Sequence, residues 1–100
     1  MRILITTYPN KPRQLKKFIM AILKQWLAKC VNRINYVKSY YIWQGKIIKD
    51  EEKILIIKTS VEKKEKLQTW IEKNHPYQVP EIVWIKSNEV NEKYLKWINN

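Results

Sequence analysis

An α+β fold is predicted by this sequence: a four-stranded antiparallel sheet with two helices packed on one face and a third helix added at the C-terminus. Two observations carry the prediction. Along the chain the apolar period shifts between two and about 3.6 residues in the order strand, helix, strand, strand, helix, strand, helix. The 100 residues are 45% apolar and 12% aromatic, enough for one core, while a single glycine, four prolines and no low-complexity stretch leave no place for a linker. Residues 1 to 100 therefore read as one domain.

Arg2 to Thr6 is a short β-rich run, stopped by Tyr8-Pro9-Asn10-Lys11-Pro12, in which Asn10 is placed to cap a helix. From Gln14 to Cys30 the apolar residues Leu15, Phe18, Ile19, Ile22, Leu23 and Trp26 recur at three and four and share one helical face. Arg13, Lys16, Lys17 and Lys24 fall opposite. Val31 to Ile48 is rich in the β-branched and aromatic residues that strands prefer, with a kink expected near Lys38-Ser39 and Gly45 marking either a bulge or a turn. Lys49 to Lys53 reads as the polar break of a long hairpin, and Ile54 to Thr59 as a strand apolar enough to be buried on both faces.

Thr59 and Glu62 have the form of a capping box for a second helix that carries Leu67, Trp70 and Ile71 and runs to about Asn74. Pro76 and Pro80 bracket an irregular loop, and Glu81 to Lys86 is the last strand. Asn88 or Asn91 then caps a final helix containing Tyr94, Leu95, Trp97 and Ile98. This order, β-α-β-β-α-β-α, is the split βαβ pattern of a ferredoxin-like βαββαβ sandwich with an added C-terminal helix. Both sandwich helices would cover one sheet face. The Tyr, Trp and Ile residues of the strands leave a second apolar face, for which self-association is the simplest cover.

The net charge of +11 is unevenly placed: residues 1 to 49 hold eleven Lys/Arg and no acid, whereas residues 50 to 100 hold nine of each sign. Such an imbalance fits an anionic partner, or a solvated surface that keeps an oligomer soluble. The run Ile54-Leu55-Ile56-Ile57 is far short of the ~18 residues of a membrane span. The first residues are too short and too β-branched a stretch for a signal peptide, and the single cysteine, Cys30, makes no internal disulfide. A cytoplasmic chain that crosses no membrane is expected. No nucleophile elbow, HExxH pattern or phosphate loop is present, and Glu51 and Glu52 are expected at a hairpin tip in water, where a raised pKa is hard to arrange. The chain does not read as an enzyme.

Six segments occur in a telling order: Leu27-Ala28-Lys29-Cys30-Val31-Asn32, Ser39-Tyr40-Tyr41-Ile42-Trp43-Gln44-Gly45-Lys46, Glu52 with Lys58-Thr59, His75-Pro76-Tyr77, Pro80-Glu81-Ile82, and Tyr94-Leu95-Lys96-Trp97-Ile98. Over nearly the whole chain they resemble the CutA family of divalent-cation tolerance proteins. The resemblance implies a homotrimer of ferredoxin-like subunits joined through their sheets, similar in architecture to the PII signalling proteins, with clefts between subunits. It also implies a link to tolerance of copper and other divalent cations. Thr6 stands where some members carry a cysteine proposed as a metal ligand, Lys29 replaces a familiar alanine and Gln44 a glutamate. Without the first-strand thiol the chain has one soft ligand fewer.

His75, the only histidine, is the natural Cu(II) candidate, with Glu81 across the same loop as an oxygen donor. Equally, a histidine after a helix end can cap free carbonyls and fix the loop without a metal. One chain offers one thiol and one imidazole, too few for a closed zinc site. Cys30 reads as a small hydrophobe on the apolar arc of the first helix. Tyr40, Tyr41, Trp43 and Tyr77 either line a cleft between subunits or pack core and interface. Lys58 either meets an anionic ligand in that cleft or pairs with a carboxylate such as Glu52.

The function read from these residues is a trimeric, non-enzymatic, metal-binding or metal-responsive protein, with Cu(II) or another divalent cation as a ligand that is not obligatory. One alternative is a PII-like trimer that binds a small anionic ligand between subunits. The other is nonspecific nucleic-acid binding through the basic first helix; specific binding is not expected, because no phosphate loop, RNA-binding aromatic signature or zinc-finger spacing accompanies the basic stripe.

Overall fold

Alternation at period two sets the first strand: Leu4, Thr6 and Tyr8 are buried on one face of β1 (Arg2–Pro9), and Ile3, Ile5 and Thr7 are half-buried on the other. In the computed structural model, which describes residues 1–100, β1 is followed by α1 (Pro12–Lys24), β2 (Cys30–Trp43) and β3 (Lys46–Thr59). A short 3-10 turn at Val61–Lys63 leads into α2 (Lys64–Asn74), then come β4 (Val83–Lys86) and α3 (Glu92–Asn99). The strands form one antiparallel sheet in the order β2-β3-β1-β4. The α+β class, the element order and the appended helix are those the sequence predicts.

The core lies between the sheet and the first two helices. Leu4 and Tyr8 of β1 and Leu55 and Ile57 of β3 meet Leu15, Phe18 and Ile22 of α1 and Leu67 and Ile71 of α2. Each such side chain taken wholly out of water contributes about 2 kcal/mol, and their sum, not helix propensity, fixes the layers. The register Leu4↔Ile57 and Thr6↔Leu55 keeps this set on one face, since a one-residue slip would turn it to solvent.

Several local expectations are corrected. The hairpin reverses at Gln44-Gly45, with φ of 50° and 76°, the pattern of a two-residue turn that matches strand twist. Lys49 to Lys53 is therefore not the break; it lies inside β3, where Lys49, Asp50 and Glu51 pair with Tyr40, Ser39 and Lys38. The irregularity in β2 falls between Ile34 and Val37 instead of at Lys38-Ser39. There Asn35 and Tyr36 stand opposite the single residue Lys53, a bulge that turns Tyr36 to φ 62° and leaves it 95% exposed.

The first helix stops at Lys24, not Cys30, because Gln25 closes it and Trp26 takes a left-handed φ of 58°; Trp26 is exposed, and Cys30 opens β2. Lys11, not Asn10, precedes α1, and the Asn10 amide instead reaches Glu51. Thr59 forms no capping box: its hydroxyl donates to the Leu27 carbonyl at 2.8 Å and ties β3 to the end of the α1–β2 connection. Asn91 does precede α3, without a side-chain bond to the helix. The last strand starts at Val83 instead of Glu81. Finally, Ile54 to Thr59 is buried on one face only, since Ile54, Ile56 and Lys58 are merely half-buried on the other.

That other face has no cover within the chain. Register places Ile3, Ile5, Ile34, Ile54, Ile56, Val83 and Ile85 together on it. On the opposite, helix-side face the hairpin carries Ile42 and Ile47 as a cross-strand pair, 76% and 81% exposed. With fourteen residues in each of β2 and β3, this hairpin accounts for the 45 Å length of the molecule.

Candidate functional site

The end of α2 directs the site. His75 N–H still donates to Ile71 O at 2.8 Å, but Pro76 forbids a further helical turn and His75 adopts extended backbone. Its ring turns inward against Tyr8, Phe18 and Tyr77, with 8% of the residue exposed. Nε2–H donates to the Thr7 carbonyl at 2.6 Å, and Nδ1 accepts the Tyr77 N–H at 3.0 Å. These partners require the neutral ring protonated on Nε2. Burial holds its pKa below the ordinary histidine value, against an opposing pull from the Thr7 carbonyl and the Glu52 charge.

This clamp delivers Tyr77 across the end of the sheet to β3. The Tyr77 hydroxyl donates to Glu52 Oε2 at 2.6 Å, and burial, followed by that bond, raises the phenol well above its usual pKa. Glu52 is 7% exposed, although it sits in a polar run, because the 76–81 loop lies over this part of the strand. Two residues earlier on the same face, Asp50 accepts the Tyr41 hydroxyl and raises that phenol's pKa too.

Between hairpin and loop lies a cleft of about 690 Å³. Of the residues singled out from sequence, Tyr40, Trp43, Glu52, Tyr77 and Glu81 all line it, together with Tyr41. Its charged side chains are Glu52 and Glu81, with no Lys, Arg or His among the lining residues. Lys49 stands 5.7 Å over the Tyr40 ring.

Other candidates lie elsewhere. Lys58, six residues further along β3, is paired in register with Ile3 and Cys30 and sits 5.8 Å over the Tyr94 ring, so it does not meet Glu52 within the chain. His75 lies beside the cleft as the clamp of its loop and does not line it. No three His, Cys, Asp or Glu side chains converge on a possible ion position. Metal ligation by His75 would cost one of its two hydrogen bonds, so the donors of one chain do not fit a closed metal site. Arg13, Lys16, Lys17 and Lys24 are exposed on α1. Sequence reasoning missed Asp50 and Thr7; reading 49–53 as strand would have put Asp50 beside Glu52, whereas the role of the Thr7 carbonyl has no sequence signal.

Comparison with known proteins gives a consistent result. The family model described as CutA1 divalent ion tolerance protein matches residues 2–100. The divalent-cation tolerance protein CutA of Pyrococcus horikoshii is 39% identical over 98 residues, covering 98% of this chain and 94% of that protein. The chloroplastic CutA of Arabidopsis thaliana is 37% identical over 98% of this chain but only 53% of its own length, so the chain spans about half of that relative, as it does of the Oryza sativa one at 55%. Among solved structures, the PII-like protein CutA from Nostoc superposes with a TM-score of 0.91 at 28% identity, covering 99% of this chain and 94% of the other.

Proposed function

The chain belongs to the CutA1 divalent ion tolerance family, and from that premise we propose that it acts as a homotrimer, without enzymatic activity, in divalent-cation tolerance. The observation that carries the reading is apolar surface left uncovered in two places: the open sheet face of Ile34, Val83 and Ile85, and on the other side of the sheet the hairpin pair Ile42 and Ile47. A chain this small cannot keep so much apolar surface in water as a monomer without cost, and closed self-association removes it. The threefold stoichiometry of the proposal is the one the family resemblance implies. Light scattering tests it, with a mass three times that of the chain expected at micromolar concentration.

On this reading a divalent ion, Cu(II) or another, is held where copies adjoin, with Glu81 as an oxygen donor and the remaining ligands from a neighbouring copy. His75 joins them only by releasing Thr7 or Tyr77. A PII-like role with a small ligand between copies is the second reading, and the aromatic-lined cleft favours it. A purely anionic ligand would find no positive side chain there within one chain. Binding of nucleic acid through the basic face of α1 would be nonspecific and salt-sensitive. No helix is long and apolar enough to cross a membrane.

A further inference from the structure

We infer that the cleft between hairpin and loop takes a small organic cation, an aliphatic amine, with Glu52 as its counter-charge and the rings of Trp43, Tyr41 and Tyr77 as its walls. The inference deepens the second reading above, a small ligand in a cleft, and reverses the sign of that ligand's charge.

Glu52 is the starting point. It is more than nine-tenths buried, yet its one hydrogen-bond partner within the chain is the neutral Tyr77 hydroxyl, on Oε2. Oε1 has none. In a chain with 20 Lys and Arg against nine acids, the sole ion pair is Lys96 with Glu92 at 3.4 Å, on the surface of α3. A buried carboxylate is held at a cost that a matching cation removes, and this fold withholds one from the position where it would count most. The hydrogen bond from Tyr77 also orients the carboxylate, leaving its second oxygen for a ligand.

The aromatic residues add the second element. An ammonium group is attracted to the face of an aromatic ring, more strongly as water is excluded, and Trp is the best partner. The rings of Trp43, Tyr41 and Tyr77 line the cleft, and no lysine of the chain is among its lining residues. Its volume of about 690 Å³ suits a small molecule. Glu81 at the loop gives the cleft lining a second negative charge. A bare divalent metal is the poorer occupant, because rings are not ligands and no third donor joins the carboxylates. An anion is the poorest. The +11 chain repels cations from most of its surface, so amine uptake would be confined to this acidic, aromatic recess.

Isothermal titration calorimetry with spermidine, on the purified protein in its native oligomeric state, tests the inference, with citrate as the anionic control. Spermidine binds at one per chain, Glu52→Gln weakens it at least tenfold, Trp43→Leu weakens it severalfold, Lys58→Ala leaves it unchanged, and citrate neither binds nor competes. No binding of spermidine, affinity unaltered in Glu52→Gln, or competition by citrate overturns it. If a lysine of a neighbouring copy already serves Glu52, spermidine fails to bind and the inference falls. Light scattering on the same sample separates the two readings: a trimer that ignores spermidine removes the inference alone, whereas a monomer removes the proposed assembly.

Discussion

The Tyr77 hydroxyl and Glu52 Oε2, 2.6 Å apart, join the loop after α2 to the middle of β3 across 25 positions of sequence. Glu52 owes its burial to the loop that Tyr77 anchors, and Tyr77 owes its position to the His75 clamp. Three side chains thus set the shape of the cleft.

Removing only the hydroxyl tests the first link. Tyr77→Phe keeps the ring and leaves Glu52 without its donor, so stability should fall by about 1 to 3 kcal/mol, the usual cost of orphaning a buried polar group. Thermal or urea unfolding measures it. A change within error would mean that water or a neighbouring copy replaces the bond.

The second link is pH-dependent, and its sign follows from burial. His75 is held neutral with a pKa below the ordinary value near 6.5. As pH falls through ~6.5 the unfolded chain takes up a proton that the folded chain refuses, so stability present above that pH is lost until the folded-state pKa is passed. Each unit of depression corresponds to about 1.4 kcal/mol. Urea midpoints between pH 8 and 5 should therefore decline in the wild type and decline less in His75→Gln. Equal declines would remove His75 as the cause.

At the hairpin tip the turn needs positive φ at two successive residues, and only the second is glycine. No atom lies within 4 Å of the position a Cβ would take at Gly45, so Gly45→Ala should cost only the backbone penalty, about 1 kcal/mol. Gln44→Asn should stabilise by about 0.5 kcal/mol, because asparagine accepts this conformation more readily. Opposite signs for the two variants in chemical denaturation are the expected result.

A chelator should leave both melting temperature and oligomeric mass unchanged. No buried side-chain nitrogen or oxygen lacks a partner, and His75 has one at each nitrogen without any ion. A drop in melting temperature on addition of EDTA would show that a metal is part of the folded state.

Much of this fold was legible because the apolar periods are strong: Leu4, Thr6 and Tyr8 alternate, and Leu15, Phe18 and Ile22 recur at three and four. The hairpin turn was misplaced because five consecutive polar residues outweigh a lone glycine when composition is read, although the two-residue reversal at Gln44-Gly45 demands only that glycine. Cys30 was misassigned for a related reason. The apolar spacing runs on past Lys24, whereas the left-handed turn at Trp26, which ends the helix, has no glycine to announce it. The cleft residues were named from family motifs, and their convergence depends on where the 76–81 loop lands, which no spacing encodes. Lys58 shares a strand face with Glu52, but six residues along a strand place it about 20 Å away.

Assembly through the open sheet face and hairpin is the central claim, and the molar mass of the Ile42→Lys, Ile47→Lys double variant tests it most directly. Both side chains are exposed in the isolated chain, so the charges should leave the subunit fold intact, as circular dichroism would verify, while preventing burial between copies. Light scattering should give a trimer for the wild type and a folded monomer for the double variant. A monomeric wild type, or a double variant that remains trimeric, would contradict the account.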